Sequence, residues 1–111
     1  MFDSDNEWLP LGSVVRLVGA SQSMMIIGRG LAVQTDGHTV FFDYGGCAWP
    51  VGLAGDQVAY FNSSGIEEVV SSCLVNETEK SFVAELSSAV SRMSIPRADV
   101  SIMRAQEGAD A

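Results

Sequence analysis

Positive charge is scarce in this chain: six Lys and Arg stand against fourteen Asp and Glu, a formal charge of −8. Such a balance repels phosphate backbones and anionic lipid headgroups, so general nucleic-acid binding and membrane-surface binding are not expected. Histidine occurs once, as His38, and cysteine twice, as Cys47 and Cys73. That inventory has no zinc-ligand spacing, and neither a metal nor a cofactor is expected. Long apolar runs are missing too, so nothing reaches the ~20 residues of a membrane span. The start, Met1-Phe2-Asp3-Ser4-Asp5-Asn6-Glu7, is acidic where a signal peptide needs a basic region followed by an apolar one. Both cysteines have apolar neighbours and read as reduced core thiols. The expectation is a soluble, cytoplasmic protein.

What is present is enough for one folded domain. The chain has 111 residues, 47% of them hydrophobic, and that length fits a single core. Its densest stretch is Phe41-Phe42-Asp43-Tyr44-Gly45-Gly46-Cys47-Ala48-Trp49-Pro50. Val40 to Tyr44 reads as a buried strand, Gly45-Gly46 as a bend, and Cys47 to Trp49 as a short second strand ended by Pro50. Upstream, Val14–Val18 is a strand. Met24–Ile27 is a strand covered on both faces and carried past Gly28-Arg29-Gly30 through a bulge. Asp36-Gly37 predicts a tight hairpin between two apolar runs. Downstream, Val58–Phe61 is a strand, and Ile66–Leu74 reads as one helical turn at Ile66–Glu68 followed by a closing strand. Asn76 with Glu79 has capping-box spacing. Phe82, Val83, Leu86, Ala89, Val90 and Met93 then recur at helical intervals, predicting an amphipathic helix over 77–92 that ends before Pro96.

The expected architecture is α+β: a small five-stranded, strongly bent antiparallel sheet or SH3-like barrel, with the C-terminal helix across one opening. Residues 1–8 are expected as a flexible acidic leader, 9–94 as the globular domain with strands over 13–75, and 95–111 as a disordered tail. An edge strand left open in such a sheet would support a homodimer.

The side chains assemble no active site. His38 follows the hairpin turn, and pairing it with Cys47, Asp43 or Asp56 would require an unusual fold. Gly28-Arg29-Gly30 lacks the context and the lysine of a phosphate loop and reads as a bulge bearing an exposed charge. Asp43 shares a strand face with Phe41 and reads as a solvated edge acid or the partner of Arg16 or Arg29. Glu67 and Glu68 are adjacent and should point apart. Eight large aromatic residues from Trp8 to Phe82, besides Phe2, exceed what so small a core holds. Either the helix covers the surplus or an exposed patch awaits a protein.

The blocks Leu9-Pro10-Leu11-Gly12-Ser13-Val14-Val15, Met24-Met25-Ile26-Ile27-Gly28-Arg29-Gly30 and Phe42 to Gly52 recur in order with Tyr60-Phe61-Asn62 and Ile66-Glu67-Glu68-Val69. Together they resemble a domain-of-unknown-function family of small proteins encoded beside type VII (ESX-like) secretion systems and their LXG-type toxins in Gram-positive bacteria. The resemblance runs from Leu9 to about Ser88. It implies a cytoplasmic, non-enzymatic chaperone or targeting adaptor whose partner is a secreted toxin or its targeting complex. It carries no catalytic residues. The candidate partner-binding positions read from the sequence are Arg29, Asp43, Tyr44, Trp49 and Pro50. Two other readings stand behind it: an immunity protein whose acidity suits a basic toxin, and, more remotely, a small enzyme using Cys47 or Asp43.

Overall fold

A long hairpin carries the fold. Strand β2 (Ser23–Thr35) and strand β3 (His38–Ala48) pair antiparallel from Met24↔Ala48 to Thr35↔His38. The turn between them is Asp36-Gly37, both at positive φ (52° and 82°). That geometry belongs to the mirror-image turns whose twist matches flanking strands, and it is why an Asp-Gly pair stands there. The computed structural model describes residues 8–55 and 57–97, together with the backbone of 102–104.

Strand β1 (Val14–Leu17) adds to the free side of β2, and strand β4 (Ala59–Phe61) adds to β3. After a single 3-10 turn at Ser63–Gly65, strand β5 (Ile66–Ser71) pairs with β1. These five strands form the antiparallel sheet. A short strand β6 (Ile102–Arg104) extends it beyond β4, giving the order β5-β1-β2-β3-β4-β6. Since β5 and β6 lie at opposite ends of that order, the sheet is open and not a closed barrel. Helix α1 (Glu77–Arg92) lies on one face, turning Val83, Leu86, Val90 and Met93 onto the core. The α+β expectation therefore holds, with the helix on an open sheet and not across a barrel mouth. No described helix is long and apolar enough to cross a membrane.

Helix α1 has the bounds its sequence predicts. Asn76 stands in extended conformation before it and accepts the Glu79 N–H through Oδ1 at 3.0 Å, satisfying one of the donors every helix start leaves free. The apolar stripe gives the helix its inward face.

Other local expectations change. Residues 41–47 are buried without interruption, so β3 is covered on both faces, and it continues through Gly45-Gly46 as one strand and not two. The glycines are there because of crowding: a Cβ on Gly46 would stand 2.8 Å from the Met25 carbonyl oxygen, and one on Gly45 2.8 Å from Leu31 Cδ1. The irregularity falls on β2, between Ile26 and Gly28, beside the glycines whose pattern predicts a bulge. Beyond it, Gly30 takes a positive φ of 62°, and a Cβ there would meet Leu86 of α1 at 2.6 Å, so its bareness lets the helix approach the sheet. Met24 and Ile26 are buried, but Ile27 is exposed, so β2 is covered on one face there and not two. In β5 the helical turn precedes Ile66 instead of starting on it. Ile66 pairs with Leu17 at once because its side chain enters the core. Cys47 is buried as expected, whereas Cys73 is exposed, and neither forms a disulfide.

The core is built on aromatic contacts. Trp8 stands edge-on to Tyr44 (5.6 Å, 66°), and Tyr44 stacks on Phe61 (5.7 Å, 28°). Trp8, placed by its sequence in the flexible leader, is thus a core residue. The rest of that leader lies outside the described residues. Of the expected tail, 98–101 and 105–111 likewise lie outside them, while Phe41 N–H donates to the Pro96 carbonyl at 2.8 Å and 102–104 pair with β4.

Candidate functional site

Of the five positions singled out from sequence, Arg29 and Tyr44 are cross-strand partners that both bond Leu9, but Trp49 and Pro50 lie apart, so the five form no single site. Tyr44 is fully buried. Its hydroxyl accepts the Leu9 N–H at 3.1 Å, and burial, the largest influence, pushes its pKa up to about 12. Asp43 is buried as well, on neither of the expected terms. Its Oδ1 accepts from Arg97 Nη2 at 2.8 Å and its Oδ2 from the Ser63 N–H at 2.8 Å, while its own N–H donates to Asn62 Oδ1. Arg16 and Arg29 are engaged elsewhere. Asp43 therefore ties β3, the 3-10 turn and the segment after α1 together, and it is not a solvated edge acid.

Arg29 is not an exposed charge either; its side chain is only 4% exposed. Its guanidinium forks onto the Glu79 carboxylate, with Nη2 to Oε1 at 3.0 Å and Nη1 to Oε2. Nη1 also donates to the Leu9 carbonyl at 3.2 Å, and the Phe82 ring lies 4.7 Å from the guanidinium carbon. Nε alone is buried without an acceptor. Trp49 and Pro50, in contrast, are on the surface at the far end of β3, where Gln22 Nε2 donates to the Trp49 carbonyl at 2.7 Å.

The pairings of His38 with Cys47 and with Asp43 have no geometry, and Asp56 lies outside the described residues. His38 and Cys47 occupy the same strand nine positions apart, about 30 Å at the rise of an extended chain. Asp43 is about 16 Å from His38 on the same count. No group of three or more His, Cys, Asp or Glu that could hold a metal exists among the described residues. Glu67 and Glu68 do not diverge: Arg16 Nη1 reaches Glu67 at 3.0 Å and Nη2 reaches Glu68 at 2.7 Å. The register shift between Arg16 and Leu17 explains it, because a bulged residue leaves strand alternation. A second shift lies between Val14 and Val15. With two irregularities and two glutamates, edge strand β5 carries devices that discourage strand addition.

What the fold builds is a groove. Between β2 and the first turns of α1 it encloses about 710 Å³, walled by Leu11, Ile27, Leu31, Leu74 and Phe82 with the Arg29–Glu79 pair on its floor. A smaller hollow of about 260 Å³ adjoins it and shares Ile27, Gly28 and Leu31. Leu11, Ile27, Leu74 and Phe82 are exposed. Of the eight aromatics from Trp8 to Phe82, Trp8, Phe41, Phe42, Tyr44 and Phe61 are buried, while Phe82 and Trp49 remain 45% and 47% exposed. The helix thus covers part of the surplus and itself contributes one ring to the surface. Sequence reasoning assigned Phe82 to the core stripe and passed over Leu11 and Leu74. The available signal was that Leu74-Val75 are apolar in a segment just before a capped helix, where solvent-facing residues are usual.

An open antiparallel sheet with one helix on its face and an apolar groove where they meet defines a small α+β domain. Residues 8–82 match the family described as a domain of unknown function, DUF4176, and the chain belongs to that family. No curated protein and no solved structure matches it.

Proposed function

We propose that this protein is a non-enzymatic accessory of type VII secretion, a chaperone or targeting adaptor that binds an LXG-type secreted toxin in the cytoplasm. The observation that carries the partner-binding part is the exposed apolar groove between β2 and α1; contiguous apolar surface of that kind marks protein interaction sites. The secretion part rests on the sequence blocks that resemble proteins encoded beside such systems. The groove lies within the span matched by the family, as a shared recognition surface would.

Affinity purification of the tagged full-length chain from its own host, followed by mass spectrometry, tests this reading. The expected result is stoichiometric recovery of a secreted toxin that still binds when its toxic domain is removed. Recovery of no secreted protein under gentle conditions would overturn it.

One observation favours a second reading. A charge of −8 suits an immunity protein that covers a basic toxin domain, since complementary charge accelerates and orients such encounters. The same toxin truncation separates the two: an immunity protein binds the isolated toxic domain and abolishes its activity.

A further inference from the structure

We propose that the β2–α1 groove receives a short apolar segment of a protein partner, flanked by basic residues, and that one neutral hydrogen-bond acceptor of that segment binds Arg29 Nε. The inference deepens the partner-binding reading above and rests on it for the partner's existence.

Three observations lead there. The first is the donor. Arg29 is 4% exposed and fixed by Glu79 and the Leu9 carbonyl, yet its Nε has no acceptor among the described residues. A buried donor left unpaired is costly, and native structures rarely retain one without a use. Arg29 itself lines the groove, and the Phe82 ring over its guanidinium is half exposed, so the donor lies within reach of what occupies the groove. The second is the floor's neutrality. Glu79 cancels the charge of Arg29, so a carboxylate or phosphate gains little there and meets the Glu79 oxygens; a main-chain or side-chain carbonyl fits. The third is shape and field. The groove is apolar and about 710 Å³ in volume, but Leu11 and Leu74 on its walls are at least half exposed. A small molecule would remain largely in water, unlike the enclosed sites such ligands use, whereas a protein segment brings its own surface to close the groove. Glu77, beside the groove residues Asn76 and Thr78, is 93% exposed and held only by a 3.7 Å surface contact to Lys80, a kind of pair worth little, and the chain is strongly acidic, so basic flanks are the matching ones.

The test is selection of phage-displayed random 12-residue peptides on the full-length protein. Enriched peptides are expected to carry an apolar pair with Lys or Arg beside it. They should shift the amide resonances of residues 27–31 and 76–82, and bind Ile27→Lys and Leu74→Lys at least tenfold more weakly. Replacing the peptide bond that supplies the acceptor by an ester, a poorer acceptor, should weaken binding to the unaltered protein several-fold, and Arg29→Lys should remove that ester effect. Failure to enrich any peptide, enrichment of acidic peptides, or equal binding to both lysine variants overturns the groove. Indifference at every ester position overturns the role of Arg29. Peptides that dock here while no secreted toxin co-purifies retain the groove and remove the secretion reading; a co-purified toxin indifferent to Ile27→Lys does the reverse.

Discussion

Arg97 reaches back along 54 residues of sequence to Asp43, placing Nη2 2.8 Å from Oδ1 and its guanidinium carbon 5.1 Å from the centre of the Phe41 ring. The arginine is half exposed while the aspartate is buried, so the two ends of this pair are not equivalent. Asp43→Ala removes an acceptor from both Arg97 and the Ser63 N–H, and is expected to cost about 2–4 kcal/mol. Arg97→Ala opens Asp43 to water and should cost about 1–2 kcal/mol. Urea denaturation of both variants checks the order; equal losses would mean that Ser63 contributes nothing.

The Arg29–Glu79 pair is enclosed at both ends. Arg29→Met leaves a carboxylate in the floor of the groove and Glu79→Leu leaves a guanidinium there, each costing about 3–5 kcal/mol. The double variant leaves neither, and should recover most of the loss. A double-mutant cycle on the folded chain measures it. A double variant as unstable as the sum of the singles would show that the pair is not coupled.

Gly46 tests crowding. Its Cβ would meet the Met25 carbonyl oxygen at 2.8 Å and Phe61 Cε1 at 3.1 Å, so Gly46→Ala should destabilise by about 2 kcal/mol or more. Gly37→Ala at the hairpin turn has open space around it but a φ of 82°, and should cost about 1 kcal/mol. Thermal unfolding of the two variants separates steric from conformational cost.

Tyr44 gives a pH signature. Its hydroxyl ionises at 10.0 when unfolded and at about 12 when buried in the fold. The protonated form is therefore favoured by folding, so its contribution is fully present below pH 10 and is lost as pH rises toward 12. The loss is on the order of 2 kcal/mol. Tyr44→Phe should flatten that part of the stability profile relative to the parent protein. At neutral pH it should cost about 1 kcal/mol, because the Leu9 N–H loses its acceptor. Stability measured from pH 8 to 11.5 for both proteins decides it.

The elements that sequence placed well are those specified by local chemistry. Asn76, Glu79 and the apolar stripe of α1 determine a helix among themselves, and Asp36-Gly37 determines a turn, without reference to anything distant. Arg29 shows the opposite case. Two flanking glycines made an exposed charge the natural reading, and only the arrival of a helix fifty residues later buries it. Asp43 likewise found its cation in Arg97, outside the strand set. Glu67 and Glu68 misled because alternation presumes regular pairing, and no glycine in 66–71 marks the bulge there as glycines do in β2. The groove was invisible for the same reason: Leu11, Ile27, Leu74 and Phe82 come from four separated segments, each unremarkable alone. The open sheet follows from strand order, which apolar periodicity does not encode.

The family's match stops at residue 82, one position before the helix begins to deliver Val83, Leu86, Val90 and Met93 to the core. Homology and mechanical integrity therefore have different boundaries in this molecule. A piece cut at residue 82 would keep the groove's wall residues and the Arg29–Glu79 clasp, but would leave the sheet's inner face half roofed. Truncation for crystallography or fusion should follow the roof, through Ile95 at least, and not the edge of the alignment.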